Sequence, residues 1–207
     1  MTDRIFSADN LLLPGRRRLL LGFALALLAL AAGAAAADEQ PKSGVAMASK
    51  ADSPWSPVDY NFVAQANLGA PFQIASGRIA EEKATTANIR DYAHLMVVSH
   101  APVVDALAAI LRREQVSAPP NTLLQGAYDT MITSLKADSA ATFDRDYVEG
   151  QLDYQKGNAA LFRYEIQNGT DPDLKEFAQR TLPKIEDHLQ RALKLAKSAE
   201  IARASSQ

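Results

Sequence analysis

The chain has 207 residues, with 22 Lys/Arg against 24 Asp/Glu, a formal net charge of −2 and no cysteine. That balance offers no basic face to nucleic acid. The missing cysteine excludes disulfides, thiolate metal sites and a cysteine nucleophile, so packing alone must hold the core.

Arg16, Arg17 and Arg18 precede an apolar run that starts at Leu19, turns alanine-rich and stops at Asp38. Ala35 and Ala37 supply the small residues of an A-x-A cleavage site. This layout predicts a secretory signal peptide over residues 1–37, a mature N-terminus at Asp38 and a periplasmic or otherwise exported protein. The arginines followed by Leu19-Leu20 loosely match a twin-arginine signal. The alternative is an uncleaved Leu19–Ala36 helix anchored in the inner membrane, because the run approaches the ~20 residues that span a bilayer. No later segment reads as a membrane span. Without residues 1–37 the chain keeps 18 basic and 22 acidic residues, a net of −4.

Residues 38–57 carry Pro41, Gly44, Pro54 and Pro57 among Ser, Ala and Lys with no period, which predicts a flexible linker. Trp55, the only tryptophan, has the apolar area to dock on a helical bundle. A first helix is expected over Val58–Lys83, with Phe62, Ala66, Gly69, Gln73, Ser76 and Ala80 on one side. A second is expected over Thr86–Glu114. Its seam, Ile89, Ala93, Met96, His100, Val103, Leu107 and Ile110, steps by four and three. Asn121 can cap a short helix over Thr122–Lys136, with Leu124, Tyr128, Met131, Ile132 and Leu135 inward. A third long helix is expected over Ser139–Gln167, ending at Asn168-Gly169 as a left-handed cap. Pro172 suits the first turn of the last helix, expected to reach Ala199. Its seam is Leu174, Ala178, Thr181, Ile185, His188, Ala192 and Leu195.

No segment alternates with period two. Short loops predict antiparallel neighbours. The expected fold is all-α: an up-down four-helix bundle over residues 58–199 with one additional short helix, and a frayed tail over 200–207. Pro71, Pro102 and Pro183 fall inside helices, where each removes a backbone hydrogen bond. Such kinks either open room for a ligand or sit where packing tolerates them.

Two of the three histidines, His100 and His188, occupy buried seam positions. An unpaired buried polar group costs roughly 1–3 kcal/mol, so each imidazole needs a partner. Two such imidazoles on facing helices can share a metal ion, or each can be a satisfied core residue. His94 falls outside its seam and reads as a surface residue. No phosphate-cradling loop, nucleophile elbow or zincin motif appears. Ser99 is not a catalytic partner of His100, because adjacent helix residues face different ways.

The strings GRIAEEKATTANIRDYAHLMVVSH, FDRDYVEGQLDYQKGNAALF and DPDLKEFAQRTLPKIEDHL resemble the domain of unknown function 4142 family over about Tyr60–Ala196. The resemblance implies an exported, ferritin-like helical bundle with no settled biochemical activity. It also implies a bundle-core site of carboxylate and imidazole from facing helices, as in ferritin-like di-iron proteins. Of that pattern only His100 and His188 match. Gln73 stands in place of a glutamate, Ser99 in place of an aspartate, and Tyr154-Gln155 in place of Asp-His. Glutamine is a poor ligand for iron or zinc and does not offset the ion's charge. Gln73, His100, Gln155 and His188 would instead hydrogen-bond one another, since an amide both donates and accepts. Glu165, Glu186 and Asp187 are the reserve carboxylates; the last two point away from the seam, and Glu165 lies roughly 15 Å along the helix from Gln155.

The resulting expectation is a non-enzymatic, exported binding or envelope-stress protein with a degenerate metal site at His100 and His188, Gln73 and Gln155 being the degenerate positions. One alternative is a protein that binds a divalent metal (iron, zinc or manganese) with redox activity. The other is a membrane-tethered interaction module. No catalytic residue, no cofactor other than that divalent metal, and no nucleic-acid partner is assigned.

Overall fold

The structure, a computed structural model, describes residues 53–204. The signal segment, the linker as far as Asp52 and residues 205–207 lie outside them. Five helices and no strand occur among the described residues: α1 (Pro57–Lys83), α2 (Ala87–Glu114), α3 (Thr122–Ala137), α4 (Ala140–Asn168) and α5 (Pro172–Ala204). Local chemistry fixes the starts. Ser56 and Asp59 form a reciprocal capping box with Pro57 inside it, which satisfies two otherwise orphaned donors. Asn121 Oδ1 accepts from Leu124 N at 3.0 Å. Asp171 Oδ1 accepts from Asp173 N and Leu174 N at 3.0 and 2.9 Å.

Polar contacts tie the helices together at both ends of the bundle. At one end, Trp55 Nε1 donates to Glu114 Oε2 at 3.1 Å, and Asp59 holds the α4–α5 turn through Thr170 and Asp171. Trp55 is buried there, so it docks, and the irregular entry segment is anchored at its last residues. At the other end, Asp144 accepts from Thr85 N and Thr86 N at 2.9 and 3.2 Å. Lys83 Nζ there donates to the carbonyls of Leu135, Lys136 and Asp138 at 2.9, 2.6 and 2.8 Å. It thereby caps α3, whose last carbonyls lack helical partners.

α1 pairs with α2 and α4 with α5, and α1–α4 and α2–α5 contacts close the ring. α3 carries the chain back along the bundle and packs mainly on α1, through Phe72 stacked on Tyr128 at 4.3 Å. Successive helices are therefore not all neighbours, contrary to the short-loop expectation. The α2–α3 connection, with Pro119-Pro120 in it, sends α3 to the far side of α1.

Burial follows the seams. All seven expected positions of α2 and all six of α1 are buried, and on α5 only Leu195 is partly exposed. A Cβ at Gly77 would meet Ala93 O at 2.9 Å, so glycine there permits the close α1–α2 approach. The C-terminal expectations need correction. α5 continues to Ala204, past the expected fraying at 200. Gly169 is extended (φ −63°, ψ 152°), not left-handed. Its glycine is required by space, because a Cβ would overlap the Glu165 carboxylate. Pro71, Pro102 and Pro183 are all exposed, so the carbonyls they free one turn back face water. By length and composition α2 is apolar enough to cross a membrane, against the expectation that no segment after the signal reads as a span; its seam is buried in the bundle.

Candidate functional site

Each long helix contributes one of the expected polar residues, and all four are buried: Gln73 from α1, His100 from α2, Gln155 from α4 and His188 from α5. They do not form one network. Gln155 Nε2 donates to Gln73 Oε1 at 3.5 Å and to Met96 Sδ at 3.4 Å. The amide layer continues along the bundle: Gln151 Nε2 donates to Ser76 Oγ at 3.4 Å, and Tyr92 Oη donates to Gln151 Oε1 at 3.4 Å. The imidazoles form a separate pair, with ring centroids 5.2 Å apart and planes tilted by 46°. No hydrogen bond links the two pairs.

His188 Nε2 lies 3.1 Å from Ser99 Oγ. Ser99 is thus no partner of its neighbour His100, as helix geometry requires, yet its side chain meets the histidine of the opposite helix. Among the described residues, His188 Nδ1 and both nitrogens of His100 have no hydrogen-bond partner, and neither do Gln73 Nε2 and Gln155 Oε1. The expected mutual satisfaction of four residues therefore fails at the imidazoles. The amides reach each other, but neither reaches a ring. A small cavity lined in part by His100, Tyr154, Asn158 and Thr181 has the room of one water.

Burial keeps both rings neutral. It lowers the His100 pKa to about 3, helped by the nearby His188 and the positive Lys184. It lowers that of His188 to about 4, against the opposing pull of Asp187 and with help from Lys184 and Arg191. The reserve carboxylates stay away. Glu186 pairs with Arg163 and Asp187 with Arg191 on the surface. Glu165 is fully buried at the bundle end beside Asp59 and Gly169. His94 is exposed and pairs with Glu81 at 2.7 Å. The residues at the imidazole pair thus do not fit a carboxylate-bridged di-iron group, because no acidic side chain faces it.

Sequence reasoning placed Ser76 on the same side of the first helix as Gln73 without giving it a polar role, and it missed Gln151 and Tyr92. The spacing of Gln73 to Ser76 and of Gln151 to Gln155 places each pair on one helical face, a signal that was available. It also missed the Asp59–Glu165 pair, for which the Ser56-x-x-Asp59 capping box was the visible half. Among the described residues, Glu114, Asp171 and Asp173 converge closely enough to hold an ion. Each is already engaged, by Trp55 Nε1, by the α5 N-terminus and by Arg113 respectively.

The fold is similar to that of a solved fragment of a DUF305 protein from Deinococcus radiodurans. The TM-score is 0.62 at 12% identity, covering 70% of this chain and 99% of that one. No curated protein matches the sequence. A profile of DUF4142, a domain of unknown function, matches residues 44–195, and the chain belongs to that family.

Proposed function

We propose that this protein is an exported, non-enzymatic binding bundle whose core site has lost the carboxylates of a ferritin-like metal centre and keeps its imidazoles. The observation that carries this is the set of three ring nitrogens on His100 and His188 left without a partner among the described residues, in a buried layer. A buried group without a partner costs roughly 1–3 kcal/mol, and a bound ligand would remove that cost. The pairing of α1 with α2 and α4 with α5, joined by a long return, supports the ferritin-like reading.

Thermal unfolding with and without added metal ions tests it. A ligand that binds only the folded state adds about 2.7 kcal/mol at 100 times its Kd. A shift that disappears in His100→Leu supports the binding role. A second reading, a metal-free polar layer hydrated by one water, is favoured by the Gln155–Gln73 contact and the small cavity. It requires every ion to leave the melting temperature unchanged. Export is tested separately: Edman sequencing of protein from the native cell should begin at Asp38, and residues 19–37 still attached would support the anchored form.

A further inference from the structure

We infer that the imidazole pair is a site for a soft monovalent cation of the Cu(I) type, held by His100 and His188 with the Met96 thioether as third donor. This rests on the binding role proposed above and names the ligand.

Charge decides between ions. Every donor at the pair is neutral, and among the described residues no carboxylate faces it. Lys184 reaches over the edge of the site, its Nζ donating to Ser99 O at 3.3 Å, and Asp187, which acts on His188 in the opposite sense, is held outside by Arg191. A divalent ion would bring two uncompensated charges into a buried layer, and the cost of burying an ion rises steeply with its charge. A monovalent ion brings one. Thioether and imidazole are also the donors that suit Cu(I), whereas the harder divalent ions prefer oxygen.

Geometry agrees. Ring centroids 5.2 Å apart, with metal–nitrogen bonds of about 2.1 Å, would subtend roughly 110° at a shared ion. That bent angle leaves room for a third donor. Met96 is fully buried and lies one turn before His100 on the same seam, a spacing that puts Cβ atoms about 5–6 Å apart. Its only polar contact is the weak one from Gln155 Nε2. His188 Nδ1 and both nitrogens of His100 are free to ligate without breaking a hydrogen bond.

The test titrates the whole chain with Ag(I), a redox-inert ion of the same charge and softness. Cu(I) under ascorbate, in competition with a chromogenic chelator, repeats it. One equivalent per chain is expected, with a melting temperature raised by roughly 5–10 °C at hundredfold excess over Kd. The ¹⁵N resonances of His100 and His188 should move while those of His94 stay. His100→Gln and His188→Gln should each lose binding, and Met96→Leu should weaken it about tenfold, the loss of one contact. If a glutamine variant fails to fold, the ¹⁵N shifts of the unmodified chain decide alone. Zn(II) or Fe(II) binding at the same residues with an equal shift would overturn the monovalent assignment and leave the binding role standing. No ion binding at all would overturn both. Ag(I) binding that persists in both histidine variants, or that moves only His94, would place the ion elsewhere and overturn the assignment.

Discussion

Gln73 and Gln155 meet as two neutral amides in the core, and a buried layer without charge has nothing to offset that of a divalent ion. Gln73→Glu with Gln155→His should create affinity for a divalent metal. It should do so at a cost, since an ionised carboxylate buried without a partner destabilises by several kcal/mol. The double variant is therefore expected to melt well below the natural chain in chelator and to recover on adding Mn(II), Fe(II) or Zn(II). Calorimetry in both conditions checks it, and an unchanged melting point with metal would show that the amide pair and the imidazole pair cannot act together. The burial of Gln73, His100 and His188 was legible from seam spacing, because periodicity dictates which side of a helix faces inward; Gln155 was located by the family resemblance alone. The pairing of the four was not legible. Ser99 reaching His188, and Gln155 turning to Met96 rather than to an imidazole, depend on the register between helices distant in sequence, which periodicity does not carry.

At the scale of elements, the most heavily bonded feature is the end where α1 begins, α4 ends and α5 begins. Asp59 accepts from Ser56 N and Oγ at 3.2 and 2.5 Å, from Thr170 N and Oγ1 at 2.9 and 2.7 Å, and from Asp171 N at 3.2 Å. Burial alone would raise its pKa, but these donors outweigh it and hold the carboxylate at about 2. Glu165 beside it is pushed up to about 8, by burial first and then by the contact with Asp59. It is the neutral member of the two, and among the described residues neither of its carboxyl oxygens has a hydrogen-bond partner. Glu165→Gln keeps a donor there without an ionisable group, so at pH 8, where ionising Glu165 opposes folding, it should raise stability. Asp59→Asn should destabilise by about 2–4 kcal/mol at pH 7, because an amide nitrogen now faces donors that need an acceptor. Urea denaturation of both variants reads the two signs. The sequence announced the cap at Asn121, whose partner lies three residues on; the caps at Ser56 and Asp171 are equally local but were not read from it. It did not announce that Gly169 is there to make room for Glu165, because that need arises only once the α4 end closes on Asp59.

Across the whole molecule, helix content and the inward faces were legible because each is a local periodic property. The placement of α3 on α1 was not, since it depends on where a proline-containing connection directs the chain. The buried titratable groups at the two levels of the bundle then set one measurable profile for the metal-free protein. His100 and His188 have folded pKa values of about 3 and about 4, below the ordinary 6.5. Between pH 4 and 6.5 the unfolded chain therefore binds more protons, and each histidine adds stability as pH rises, at about 1.4 kcal/mol per unit. Glu165 runs the other way: its folded value of about 8 lies above the ordinary 4.5. The folded state holds the extra proton, and stability falls at a similar rate from pH 4.5 to 8. Two rising contributions exceed one falling contribution below pH 6.5, and only the falling one remains above it. Stability should peak near pH 6.5 and decline on both sides, with a further loss below the ordinary 3.8 as Asp59 is protonated. Urea midpoints at about pH 4.5, 6.5 and 8 test this. Glu165→Gln should abolish the alkaline decline and steepen the acid one, while His100→Gln should flatten the acid limb without touching the alkaline limb. A natural chain whose stability stays level or rises from about pH 6.5 to 8 would mean that Glu165 is ionised in the folded state.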